Sequence, residues 1–172
     1  MKNLFYVVGL VWSLGLGATK FTHTFQVSTE IKKVNLYGYT LTITPQPASL
    51  TLMFNDESKS FDPIETLLLI STNIPKTEEG LGFDYHLSLN TNTSECHNIN
   101  DDLVVTQEDF ISLFLDGESF TDSTSVLGQS LYPVDNNDNL VGENTLRLVS
   151  STISSVAQRC SGEIVIEAEL SL

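Results

Sequence analysis

The sequence predicts an all-β fold, a sandwich of short strands, on three observations. Apolar and polar residues alternate with period 2 at regular intervals, turn signals separate those stretches, and no convincing helical period occurs. Size and composition set the bounds. A chain of 172 residues, 41% hydrophobic with mean hydropathy +0.04, can bury one core and is not composed like a disordered chain.

The strands follow in order. In residues 21–31 the odd positions carry Phe21, Phe25, Val27 and Ile31, and every even position is polar. At about 3.3 Å per residue this stretch would span roughly 36 Å, and no glycine or proline interrupts it. Residues 39–44 alternate through Leu41 and Ile43 and end at Pro45 and Pro47, which cannot donate to a ladder. Residues 49–54 alternate again through Leu50, Leu52 and Phe54, and the polar 55–60 reads as a turn. Within 65–74, the run Leu67-Leu68-Leu69-Ile70 predicts a strand covered on both faces. Residues 76–82 read as a polar, glycine-ended loop, before Phe83, Tyr85, Leu87 and Leu89 resume the alternation.

Leu103-Val104-Val105 is a short β segment, and Gln107-Glu108-Asp109 could open one helical turn. Residues 110–115 form a further strand closed by Asp116-Gly117, a turn signal. Residues 122–142, rich in Asn, Asp and Ser, read as surface loop, and alternation returns at 145–149. The final segment, 163–172, sets Ile164, Ile166, Ala168, Leu170 and Leu172 on one face. Seven or more such strands point to a β-sandwich of immunoglobulin type.

The first residues read as a secretory signal. Lys2 supplies a positive start, residues 4–16 are apolar but for glycine and Ser13, and Gly15 and Gly17 are small residues at the −3 and −1 positions. Cleavage is expected after Gly17, with Ala18 as second choice. The run is shorter than the ~20 residues of a membrane-spanning helix, so export rather than a membrane span is expected. Removing 17 of the 172 residues leaves 155, with 7 basic against 22 acidic side chains. The full chain carries −14 and the mature chain −15, which disfavours contact with nucleic acid. The two cysteines, Cys96 and Cys160, are expected to form one disulfide in an oxidising compartment. Closing so long a loop would contribute roughly 4 kcal/mol on the chain-entropy account.

Candidate chemistry is thin. Counting from Asp135, the segment 135–139 resembles a calcium loop, but its sixth and twelfth positions hold Leu140 and Leu146 instead of glycine and glutamate. A solvated turn is the expectation there. His23 lies on the apolar face of the first strand, His86 lies on the polar face of its own, and Cys96-His97 has no paired metal spacing. No serine sits in a G-x-S-x-G context, and no phosphate-binding or dinucleotide loop occurs. No cofactor, metal or catalytic residue is assigned, and a secreted enzyme is the weakest reading. Asn92-Thr93-Ser94 matches an N-glycosylation sequon, relevant only in a eukaryotic secretory pathway.

The N-terminal strand has two fates: it folds into its own sheet, or it pairs with the sheet edge of another copy. Residues 41–54, Leu-Thr-Ile-Thr-Pro-Gln-Pro-Ala-Ser-Leu-Thr-Leu-Met-Phe, followed by Lys59-Ser60-Phe61, carry a resemblance. So does Ser161-Gly162-Glu163-Ile164-Val165-Ile166, a Ser-Gly step into the final strand. On these stretches, and across most of the mature chain, the sequence resembles the chaperone–usher pilins, the alpha-type pilins of the enterobacterial common pilus above all and the colonisation-factor pilins more loosely. Cys96 and Cys160 depart from the pattern, since those pilins generally lack such a disulfide.

The resemblance implies an incomplete immunoglobulin-like β-sandwich, residues 32–172, completed by a donor strand, residues 18–31. It implies a groove filled first by a periplasmic chaperone and then, at an outer-membrane usher, by the strand of a neighbouring pilin subunit. Carried onto this chain, the donor residues facing the groove are Phe21, His23, Phe25, Val27 and Thr29. Ile164, Ile166, Ala168, Leu170 and Leu172 would form the groove wall and the chaperone contact. The expectation is a fimbrial structural subunit at the cell surface, facing a host-surface receptor. The rival is a secreted or tip-located adhesive module using the acidic region 122–143.

Overall fold

A computed structural model describes residues 23–31, 38–98, 101–122, 124–132, 134–153 and 158–171. The signal segment, its cleavage site, Phe21 and Leu172 lie outside the described residues. The strands are β1 His23–Ile31, β2 Leu41–Gln46, β3 Leu50–Leu52, β4 Phe54–Asn55, β5 Ser60–Phe61, β6 Ile64–Pro75 and β7 Asp84–Asn98. They continue with β8 Asp101–Glu108, β9 Ile111–Leu115, β10 Glu118–Phe120, β11 Ser125–Ser130, β12 Asn139–Ser150 and β13 Gln158–Ser171. The protein is all-β among the described residues apart from one 3-10 turn, Lys76–Leu81.

Two sheets share one core. The larger runs β11-β7-β13-β1-β3, with β8 also paired to β7, and the smaller runs β10-β9-β12-β6-β2; β4 and β5 form a separate ribbon. Every described pairing is antiparallel except that of β1 with β13. From the smaller sheet, Leu68, Ile70 and Leu146 are fully buried, and from the larger, Leu87, Ile164 and Ile166. Each such side chain contributes about 1.5–3 kcal/mol on leaving water. Phe61 and Phe110 close the core at one end, their ring centroids 6.1 Å apart.

Local chemistry explains the turns. Asp116 and Gly117 both take positive φ, 50° and 90°, the backbone a two-residue hairpin demands, and they join β9 to β10 as the sequence predicts. Pro45 is tolerated because β2 is the outermost strand of its sheet, where one row of N–H groups needs no partner.

Five expectations are corrected. The run at 67–70 is covered on one face only: in β6, Thr66, Leu68, Ile70, Thr72 and Ile74 are buried, whereas Leu67 and Leu69 are half-buried. Among the described residues, no second layer covers the outer side of the smaller sheet. The stretch 122–142 is not one loop, since it contains β11, an isolated Val134–Leu140 bridge and the start of β12. Residues 107–109 open no helix, because Gln107 and Glu108 belong to β8 and Asp109 takes φ 49°. The segment 76–82, read as a loop, is where the 3-10 turn forms, ending on Gly82 in the left-handed region. Finally, the strand expected at 49–54 divides into β3 and β4, and Phe54 is 40% exposed.

Candidate functional site

The site of interest is the slot that β1 occupies. On one side β1 runs parallel to β13, with Val27 in register with Ile164, Thr29 with Ile166 and Ile31 with Ala168. On the other it runs antiparallel to β3, with His23 opposite Leu52 and Phe25 opposite Leu50. Every one of those β13 and β3 partners is buried. Of the five donor positions assigned from the sequence, four lie on β1, with His23 and Phe25 in backbone register with β3 and Val27 and Thr29 in register with β13. In this single chain the strand completes its own sheet, the first of the two fates open to it.

On the β13 wall Ile164, Ile166, Ala168 and Leu170 are buried; on its other face Glu163 and Glu169 are exposed and Val165 half-buried, whereas Glu167 is buried and breaks the alternation. Leu170 lies just beyond the stretch 163–168 that β1 pairs. The second wall, Leu50 and Leu52, was not assigned from the sequence. Its signal was the alternation in 49–54, but nothing local says which strand lies beside it. Among the described residues, β3 joins its sheet only through β1. Taking β1 out would therefore free β3 and turn β13 into a sheet edge.

The disulfide adjoins this slot. Cys96 and Cys160 face each other directly across the β7–β13 ladder, both buried, with Cα atoms 4.0 Å apart. Cys160 lies on the same face of β13 as Ile164 and Ile166, so the bridge continues the buried wall. Next to it, Thr93, Ser94, Glu95, Ser161, Gly162 and Glu163 line an open polar cavity of about 240 Å³. That is smaller than most small-molecule sites, and its rim carries two exposed carboxylates. Ser94 is committed structurally: its Oγ accepts the Ile111 N–H at 3.1 Å and its carbonyl accepts the Asp109 N–H at 2.7 Å.

The larger polar cluster is internal and was missed by sequence reading. The Tyr85 hydroxyl donates to Asn144 Oδ1 at 2.7 Å, and Asn144 Nδ2 donates to Asp116 Oδ2 at 2.6 Å and Gln129 Oε1 at 3.5 Å. Burial, then the Asp116 charge, push the Tyr85 phenol up to about 12. Asp135 Oδ1 accepts the backbone N–H groups of Asn137 and Asn139, at 2.8 and 2.9 Å, and those bonds hold its carboxyl below the ordinary range. The carboxylate thus serves its own turn. His86 meets Ser171 Oγ at 3.0 Å, and His97 Nε2 lies 3.3 Å from Glu95. Among the described residues, no three metal-ligating side chains gather.

The class defined so far is an all-β protein of two sheets, stapled by one disulfide, with its N-terminal strand set between the last strand and β3. No protein-family model matches the chain, and no curated protein matches its sequence. No helix among the described residues is long and apolar enough to cross a membrane.

Proposed function

We propose that the chain is a structural subunit of a bacterial surface fimbria that joins copies by lending β1 to a neighbour. The observation that supports this most is the position of β1, the sole link between β13 and β3 among the described residues. A strand from a second copy could take up the same kind of pairing against the same two walls, with little net change in contacts. Exchange of an identical element is a low-cost route to association, and head-to-tail exchange does not close, so it yields fibres. On this reading export, a periplasmic chaperone and an outer-membrane usher are the partners that keep the slot filled until assembly. The role is structural and not catalytic.

The test is refolding of the full mature chain at rising concentration, followed by size-exclusion chromatography. A ladder of oligomers is expected, and an excess of a synthetic peptide of residues 21–31 should cap it at short species. A chain that stays monomeric at every concentration and ignores the peptide would end the strand-donor reading.

A second reading draws on Leu127 and Tyr132, which are 62% and 69% exposed at and beyond the β11 edge. Such a surface suits an adhesive binding module. Glycan or matrix binding by the monomer, lost on Tyr132→Ala, would favour it.

A further inference from the structure

The β7–β13 ladder is not continuous. Residues 158–165 pair with 98–91, residues 166–171 pair with 89–84, and the register shifts between Val165 and Ile166, leaving Asn90 of β7 as the extra residue of a bulge. On the opposite side of β13, β1 pairs residues 163–168 without any shift. The N-terminal strand thus runs across the bulge and splints it. β1 pairs only 163–165 of the 158–165 arm, so with β1 out of the slot the arm is a sheet edge along its whole length, joined to the rest of its strand through an interrupted ladder. Edges of this kind open locally at far less cost than the core. The Cys96–Cys160 bridge lies within that arm, three residues before the first β1 partner, Glu163.

We propose that this disulfide pins the 158–165 arm to β7 while the slot is empty, so that strand acceptance is confined to the bridged chain. The inference rests on the strand-exchange reading only for its second half; the pin itself is a property of the single chain. It also gives a reason for the bridge to join these two strands and no others. In the closed chain β13 has a neighbour on each side over residues 163–168, which holds the arm at its bulge end, and the covalent tie at Cys160 adds little to local order there. In the open chain it is what keeps the wall formed by Ile164 next to its continuation at Ile166.

The experiment is a double-mutant cycle in the full chain, read by residue-resolved amide hydrogen exchange. Val27→Pro puts a residue with no N–H into β1 in order to displace it; Phe25→Asp is a second, independent way of doing so. Each is combined with Cys96→Ser and Cys160→Ser together. In the wild-type β1 background the serine pair should lower protection over 159–165 by less than about tenfold. In the Val27→Pro or Phe25→Asp background the same pair should lower it by at least about 100-fold, with 167–171 much less affected. Equal losses in both backgrounds overturn the pin, and so does a bridged chain that loses order over 159–165 as soon as β1 is displaced. The peptide of residues 21–31 is then added to both displaced forms. Binding to the bridged form alone is expected, and equal binding to both overturns the second half. Binding to neither ends the strand-exchange reading and the second half with it, while the exchange cycle still decides the pin.

Discussion

The Tyr85 hydroxyl reaches across the core, from the larger sheet to the smaller, and donates a 2.7 Å hydrogen bond to Asn144. Asn144 is 2% exposed, and its amide nitrogen in turn holds Asp116 at the β9–β10 turn. Asp116 Oδ1 also accepts the Thr145 N–H at 2.7 Å, so one asparagine ties β7, β12 and a hairpin turn together. A buried network of this kind rigidifies only while all its members are satisfied.

Truncating its centre should therefore cost more than trimming its rim. Asn144→Ala should lower stability by about 2–4 kcal/mol, and Tyr85→Phe by about 1–2 kcal/mol, in urea denaturation. In the double variant the two losses should not add, because the tyrosine has no amide left to bond. Additive losses would show that the hydroxyl and the amide act separately.

The same phenol sets an alkaline limit. Its value in the fold is about 12 against 10.0 for an ordinary phenol side chain, raised first by burial and then by Asp116. A group raised on folding contributes stability that is complete below the unfolded value and lost as pH climbs through the folded one. Stability should thus fall between pH 10 and about 12, by on the order of 2 kcal/mol, with Tyr85→Phe abolishing that limb. Asp116→Asn should bring the phenol's titration to lower pH, visible in the tyrosinate absorbance.

Gly142 has no room for a side chain. A Cβ there would lie 2.5 Å from the Tyr85 ring and 2.7 Å from its oxygen. Gly142→Ala should cost about 1–3 kcal/mol and break the Tyr85–Asn144 bond by shifting the ring. Combining it with Tyr85→Leu should recover part of the loss in thermal denaturation, which identifies the ring as the obstacle.

Charge bears on strand exchange. Residues 18–37 hold Lys20, Lys32 and Lys33 against the single acid Glu30, whereas residues 38–172 hold 4 basic against 21 acidic side chains. Attraction between a basic strand segment and an acidic body should speed oligomer formation at low salt. The rate should drop about tenfold between ~20 mM and ~500 mM sodium chloride, and Lys32→Glu with Lys33→Glu should remove most of that dependence. A rate indifferent to salt and to both substitutions would sink the electrostatic contribution.

Much of the fold was legible because alternation is a local property. Leu41 and Ile43, Leu50 and Leu52, Tyr85, Leu87 and Leu89, and Ile164 to Leu170 announce strands by spacing alone, and Asp116-Gly117 announces its hairpin. β11 was invisible for the converse reason. Its residues Ser125 to Ser130 are exposed or half-buried throughout, so they carry no alternation, and the strand exists by backbone pairing with β7. Leu67 and Leu69 misled because an apolar run does not say whether a second layer will arrive to cover it. The Tyr85–Asn144–Asp116 cluster joins residues 59 and 28 positions apart, which no motif could have flagged.

By itself the sequence determined the period-2 faces, and with them which side of residues 21–31 and 163–172 is apolar. It also determined that two cysteines would be available to each other in an oxidising compartment. Only the tertiary structure decided which strands meet: β1 beside β13 in parallel and β3 in antiparallel register, and Cys96 directly across from Cys160. The physical reason is range. A face is set by neighbours two residues apart, whereas a partner such as Ile164 for Val27 is chosen by what the rest of the folded chain leaves open beside it.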